Sequence, residues 1–182
     1  MAPIPLPIAR TWDGAPAAPG EIATVTVAWR DDALHLSIDA PLHGDPPPDA
    51  PPGALWGLWD HEVVELFVLG ADDHYTEVEF GPHGHHLLLR LEGRRNVVER
   101  LLPVEATWSR TPDRWRVEAV LPAAVLPPRS DARPWRLNAY AIHGTGAARR
   151  YLAWAPVPGE QPDFHRLEAF REMPGREVPG IG

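Results

Sequence analysis

From residue 55 to residue 92 apolar and polar side chains alternate at period two. The alternation breaks at two turn-forming clusters, Gly70-Ala71-Asp72-Asp73 and Gly81-Pro82-His83-Gly84. Period two is the spacing of a strand with one buried face, so LWGLWDHEVVELFVLGADDHYTEVEFGPHGHHLLLRLEG is predicted to form a three-stranded meander. In its first hairpin, only the register that sets Val64, Leu66 and Val68 beside Val78 and Phe80 collects the apolar side chains on one face. The opposite, outer face then gathers Glu65, Phe67, Tyr75, Glu77 and Glu79. With Leu87, Leu89 and Leu91 turned inward, the third strand adds His86, Leu88 and Arg90 to that outer face.

The same pattern recurs along the rest of the chain. Residues 1–20 read as an extended arm whose Trp12 can plug one end of the fold. Ile22 to Trp29 and Leu34 to Ala40 form a hairpin around Arg30-Asp31-Asp32, and Glu105 to Arg110 with Trp115 to Leu121 form another around Thr111-Pro112-Asp113-Arg114. Trp135 to His143 and Arg150 to Ala155 supply the last strands, while Pro122 to Leu126 suits one helical turn. Residues 41–53 are too proline-dense for a central strand and are assigned to a long surface loop. Residues 171–182 form a Gly/Pro-rich tail. The expected architecture is one all-β domain, 1–182 with its core over about 20–170. Its fold class is a two-sheet antiparallel β-sandwich, with a barrel as the alternative.

Composition narrows the function. The 23 Pro and 15 Gly cluster between apolar runs, as in an all-β chain rich in turns. A formal net charge of −8 without a basic stripe argues against nucleic acid as a partner. No run of apolar residues is long enough to span a bilayer as a helix, and the prolines of MAPIPLPIAR oppose an export signal, so a cytoplasmic setting is expected. With no Cys, disulfides, thiolate metal sites and thiol nucleophiles are excluded.

The candidate chemistry lies on the outer face. Glu77 and Glu79, next but one on a strand, sit roughly 7 Å apart, within the range of about 5 to 9 Å used by carboxyl pairs in glycoside hydrolysis. The same spacing suits plain surface carboxylates, and a cross-strand Glu77–Arg90 pair would account for it too. Eight Trp is a high number, and aromatic faces stack on sugar rings. Trp29, Trp115 and Trp135 lie in alternating strands and belong to the core, whereas Trp56 and Trp59 stand at a loop-to-strand junction where a ring can overhang the outer face. His83, His85 and His86, near His61 and His74, lack any metal-ligand spacing and read as surface histidines. Ser37, Ser109 and Ser130 stand without a GxSxG or an identifiable base.

The runs LWDHEVVELFVL, HYTEVEFGPHG, WRLNAYAIH, YLAWAP and FHRLEAF resemble, in order, the family 9 carbohydrate-binding modules and the DOMON-like domains grouped with them. The resemblance implies a jelly-roll-like sandwich that binds a saccharide or sugar-containing metabolite without catalysis, between two aromatic rings. By position Trp59 matches the first ring, Phe164 the second and Glu65 the sugar-contacting Glu. Glu77, Glu79 and Tyr140 stand where members can present Arg, Asn and an amide, so the polar face is retained with altered charge. Calcium, which supports the fold in some members, would fall near Asp60 and Glu62, where Glu62 replaces the Asp commonly seen. No other cofactor is implied; haem is disfavoured, since Met1 and Met173 are the only methionines. Two alternatives stay open: a protein-interaction sandwich whose outer face is covered by a partner, and a glycoside-acting enzyme using Glu65, Glu77 or Glu79.

Overall fold

The computed structural model describes residues 2–128 and 134–173. Fourteen strands occur among them: β1 (Ile4–Ile8), β2 (Arg10–Thr11), β3 (Ala23–Arg30), β4 (Ala33–Pro41), β5 (Gly53–Ala54), β6 (Val63–Leu69), β7 (His74–Phe80), β8 (His85–Glu92), β9 (Val97–Glu99), β10 (Glu105–Arg110), β11 (Arg114–Pro122), β12 (Arg136–His143), β13 (Arg150–Ala153) and β14 (Arg171–Glu172). They form two sheets. The smaller runs β1-β3-β4-β11-β10; the larger runs β2-β13-β12-β6-β7-β8-β5, with β14 beside β12 and β9 beside β8. All pairings are antiparallel except β5 with β8. The only helical pieces described are short 3-10 turns, one of which, Ala123–Val125, fills the turn expected over 122–126. This is the all-β, two-sheet class read from the alternation.

Turn chemistry fixes the hairpins. Asp31 and Asp32 both adopt positive φ, 52° and 53°, and join Arg30 to its partner Ala33 in a two-residue turn whose twist matches the flanking strands. The shared core lies between the sheets. Val64, Leu66, Val68, Val78 and Phe80 of the larger sheet pack there against Val25, Val27, Leu36, Ile38 and Trp115 of the smaller. The first hairpin of the meander has the expected register, Val64 with Phe80 and Leu66 with Val78.

Three expectations change. The arm at the N-terminus is part of the sandwich: β1 pairs with β3, and Leu6 and Ile8 are wholly buried. At the other end Met173 is buried and its N–H donates to the Trp135 carbonyl, while 174–182 of the expected tail, like Ser130, lie outside the described residues. The third change matters most for function. β8 is turned over relative to the expectation: Glu77 faces Leu89, Glu79 faces Leu87 and Tyr75 faces Leu91, whereas Leu88 and His86 share the sheet-to-sheet face with Val78 and Phe80. The reason is that the larger sheet is buried on both sides. Its second face carries a second apolar cluster, with Phe67, Leu87, Leu89, Leu91 and Tyr140 covered by Leu58, Val157, Phe164, Leu167 and Phe170 from two loops. A strand buried on both faces reads as a near-continuous apolar run, so the Leu-rich β8 carries no sidedness of its own.

Candidate functional site

The site is built on that second face. In the centre of the larger sheet, Glu65 of β6 stands directly opposite Glu79 of β7 and beside Tyr140 of β12, while Phe67 stands opposite Glu77 and beside Asn138. Direct cross-strand neighbours have Cβ atoms roughly 5 Å apart, so three carboxyl groups share one small area. All are buried: Glu65 is 2% exposed, Glu77 4% and Glu79 not at all. Burial is the leading cause that raises all three above the ordinary carboxyl range, because a charge there loses water. For Glu65 the nearby Glu77 adds to the rise and Arg149 opposes it. Glu79, buried and crowded by Glu65 and Glu77, is pushed well up. Glu77 is raised to about 7 by burial, drawn back by its contact with Glu79 and by Arg95.

Above this floor lies an open cavity of about 410 Å³, lined by Glu65 and Glu77 and walled by rings from several elements. Trp59 enters from the 3-10 turn Leu58–Asp60 before β6 and Trp56 from the turn just ahead of it, the two rings packed edge to face at 5.0 Å. Phe164, from the loop after β13, lies flat on Tyr140 at 3.8 Å and lines the cavity. The tryptophan loop is held by Arg149. Its guanidinium donates to the carbonyls of Trp59 (2.5 Å), Asp60 (3.0 Å), Gly144 (3.1 Å) and His61 (3.4 Å). Gly144, at φ +76°, makes the return after β12 that brings Arg149 there. A Cβ at this position would collide with the Ala148 carbonyl oxygen, so both the backbone angle and the space require glycine.

The opposite rim is a second clamp. Asp163 pairs with Arg94 and with Arg95 (2.8 Å), tying the loop that carries Phe164 to the β8–β9 turn. Burial works to raise the Asp163 carboxyl, but the two guanidiniums outweigh it and hold it low. Next to it His165 approaches the Tyr75 hydroxyl through Nδ1 at 2.8 Å and Glu77 Oε2 through Nε2 at 3.9 Å. The Tyr75 oxygen already accepts the Arg95 N–H at 2.9 Å, so the assignment that satisfies both groups has Tyr75 donating to Nδ1 and the His165 proton on Nε2, toward Glu77. Burial, helped by Arg95, lowers His165 to about 4, which keeps the ring neutral. Burial raises Tyr75 to about 12.

The structure thus brings together Trp59, Glu65, Glu77 and Phe164 around one cavity. Glu79 and Tyr140 lie on the same face but behind its lining: Glu79 is fully enclosed, and the Tyr140 hydroxyl, which Asn138 approaches at 2.6 Å, sits under Phe164. Arg90 is a correction. It faces Thr76 on the other side of the sheet and pairs with Glu99 of β9 at 2.5 Å, so it neither reaches the cavity nor stands opposite Glu77.

Glu62 and Asp60, near which calcium is expected, are placed differently from each other. Both oxygens of Glu62 accept backbone N–H groups, from His43 at 3.1 Å and Asp45 at 3.4 Å, while Asp60 lines the cavity. No cluster of three ligating side chains occurs among the described residues. The histidines of the PHGHH run do not gather either: His85 is buried and its Nε2 contacts the Ala50 carbonyl at 3.0 Å, while His86 tilts over Trp108. Arg95 and Arg149 escape the sequence reading, and Tyr151 and His165 enter it only inside the YLAWAP and FHRLEAF runs without a role, because all four sit in irregular segments or at strand ends, where side-chain direction has no period to follow. The signal for the two arginines is the pairing of cations as Arg94-Arg95 and Arg149-Arg150.

No family model matches the chain. Among solved structures, the sandwich resembles a "putative carbohydrate-binding protein" from Bacteroides uniformis ATCC 8492, with TM-score 0.67 and 18% identity over 83% of this chain and 77% of that one. A family 9 carbohydrate-binding module from Caldicellulosiruptor kristjanssonii, in complex with cellotriose, matches at TM-score 0.44 and 19% identity over 76% and 67% of the two chains. In sequence, the chain is 41% identical to the human UPF0462 protein C4orf33 over 175 residues, 91% of this chain and 85% of the relative. It is 38% identical to the UPF0462 protein C4orf33 homolog of Danio rerio over 182 residues, 95% of this chain and 90% of that one. On that similarity, carried along nearly the whole of both proteins, the chain belongs to the UPF0462 family.

Proposed function

We propose that the cavity binds a saccharide or a sugar-containing metabolite without catalysing its cleavage. The observation that carries this is an open, aromatic-walled cavity of about 410 Å³ with carboxyl groups on its floor. Its size falls at the lower end of small-ligand sites, roughly 300 to 1,000 Å³. The Trp59 and Phe164 rings offer flat apolar faces to a sugar's C–H surface, and Glu65 and Glu77 supply polar contacts that fix its hydroxyls. The fold shared with the Bacteroides protein, whose description names carbohydrate binding, supports the same reading at the level of ligand class. Binding is favoured over hydrolysis by placement. Glycoside cleavage needs carboxyl groups flanking the scissile bond, and here Glu65, Glu77 and Glu79 all lie on one sheet face beneath the ligand space.

The test is intrinsic tryptophan fluorescence of the purified protein titrated with mono- and oligosaccharides. A saturable change is expected for one sugar class, weakened by about tenfold or more in Trp59→Ala, in line with the loss of a stacked aromatic anchor. Undiminished binding in a folded Trp59→Ala protein, or no response to any sugar, would overturn the proposal.

A further inference from the structure

Glu77 carries an unused acceptor. Its Oε2 is buried and receives no N–H donor from the protein, the neighbouring Glu79 carboxyl being its only close polar contact, although the side chain lines the cavity and is only 4% exposed. A buried carboxyl oxygen left without a donor costs roughly 1 to 3 kcal/mol, so one that persists on the floor of an open cavity is suited to a donor brought from outside.

The charges around it indicate which donor. The cations that line the cavity are already engaged. Arg149 spends its guanidinium on four backbone carbonyls of the tryptophan loop and the Gly144 turn, and Arg95 pairs with Asp163. His165, whose Nε2 is 3.9 Å from Glu77 Oε2, is held neutral by burial. The other acidic groups of the lining are Glu65 from β6 and Asp60 at the rim, while Glu79 on β7 is enclosed behind them and the Tyr75 hydroxyl is committed to His165 and the Arg95 N–H. The remaining lining is largely aromatic: Trp56, Trp59, Phe67, Tyr151 and Phe164. Ring faces above a buried acid favour an organic cation, because the ring quadrupole and the carboxylate attract the same charge.

We propose that the cavity takes a ligand carrying a protonated primary amine, an amino sugar in preference to its neutral counterpart, with the ammonium group seated on Glu77. For the sugar part this rests on the saccharide reading above; the ammonium part does not. An ammonium group brings three N–H donors together with the counter-charge that an ionised Glu77 lacks, whereas a hydroxyl brings one donor and leaves the charge buried. Glu77 titrates near neutrality, so it yields its proton readily when the cation arrives.

The test is isothermal titration calorimetry with glucosamine, glucose, N-acetylglucosamine, cyclohexylammonium and cyclohexanol as probes. Glucosamine is expected to bind on the order of tenfold more tightly than glucose at pH 7, a preference of about 1.4 kcal/mol. Acetylating the amine should remove that preference, and Glu77→Gln should reduce it to about twofold or less. At pH 6, titrations in two buffers of different ionisation enthalpy should show release of close to one proton by the wild-type protein, a readout that needs no variant. Glucosamine binding no tighter than glucose, a preference that survives Glu77→Gln, or binding without proton release would overturn the proposal. If no sugar binds, cyclohexylammonium bound in preference to cyclohexanol would sink the saccharide reading and uphold the cation site. No preference between those two would overturn the cation site as well.

Discussion

Glu62 and Glu77 are buried to the same degree, each 4% exposed, and both are raised by burial above the ordinary carboxyl range. They differ in what meets their oxygens. Glu62, just before β6, accepts two backbone N–H groups of the 41–53 loop, which draw its titration back down, and Asp45 in that loop accepts the Gly144 N–H at 2.6 Å. Its carboxyl therefore holds structure in place: it pins a proline-dense segment whose sequence cannot pair in a sheet. Glu77, in the middle of β7, has one buried oxygen that receives no N–H donor, beside a neutral imidazole and beneath an open cavity. Burial alone does not distinguish a structural acid from one kept for a ligand. The inventory of hydrogen-bond partners does so together with access to the cavity, since Glu79, whose oxygens also lack an N–H donor, is fully enclosed.

The comparison is broken most strongly at Glu62. Replacing it with Ala strands the His43 and Asp45 N–H groups, and a loss of roughly 2 to 4 kcal/mol in urea denaturation is expected from two unsatisfied donors. The reverse sign is expected at Glu77. Below the unfolded carboxyl value of 4.5 both states hold the proton and Glu77 has no effect on stability. From there to about 7 the unfolded chain ionises while the folded protein stays protonated, so stability falls as pH rises, and above about 7 the penalty is complete. Glu77→Gln should accordingly be more stable than wild type by about 1 to 3 kcal/mol at pH 8 and indistinguishable from it at pH 4, by thermal melts across pH. A protein equally destabilised by both substitutions would erase the distinction.

The smallest effect sharpens the picture at the rim. Asp163→Asn removes the partner of Arg94 and Arg95, and since those guanidiniums are half-exposed the stability change should be about 0 to 1 kcal/mol. Its visible consequence should be faster amide exchange over the loop that carries Phe164 and His165, measured by hydrogen exchange.

The alternation legible in the sequence marked both sandwich sheets and the β6–β7 register, because Val64, Leu66 and Val68 can meet Val78 and Phe80 in only one way. It placed Glu65 and Glu77 on one face for the same reason. It misdirected β8, since Leu87, Leu88, Leu89 and Leu91 are buried on two different faces and no pattern separates them. The outer face was therefore expected to be open, with Arg90 on it. What covers it comes from residues 55–60 and 154–170, whose position depends on clamps such as Arg149 on the Trp59 carbonyl and Asp163 on Arg95. Such long-range partners, 90 and 68 positions apart, leave no periodic trace.

The ammonium site proposed for the cavity turns on Glu77 being a buried acid that no N–H donor satisfies. The most direct test is a ¹³C NMR titration of the glutamate side-chain carboxyl signals, with Glu77 assigned through Glu77→Gln. The predicted midpoint for Glu77 in the ligand-free protein is about 7. A midpoint close to the ordinary 4.5 would contradict it, because the carboxyl would then be solvated or partnered and not held in reserve for a ligand.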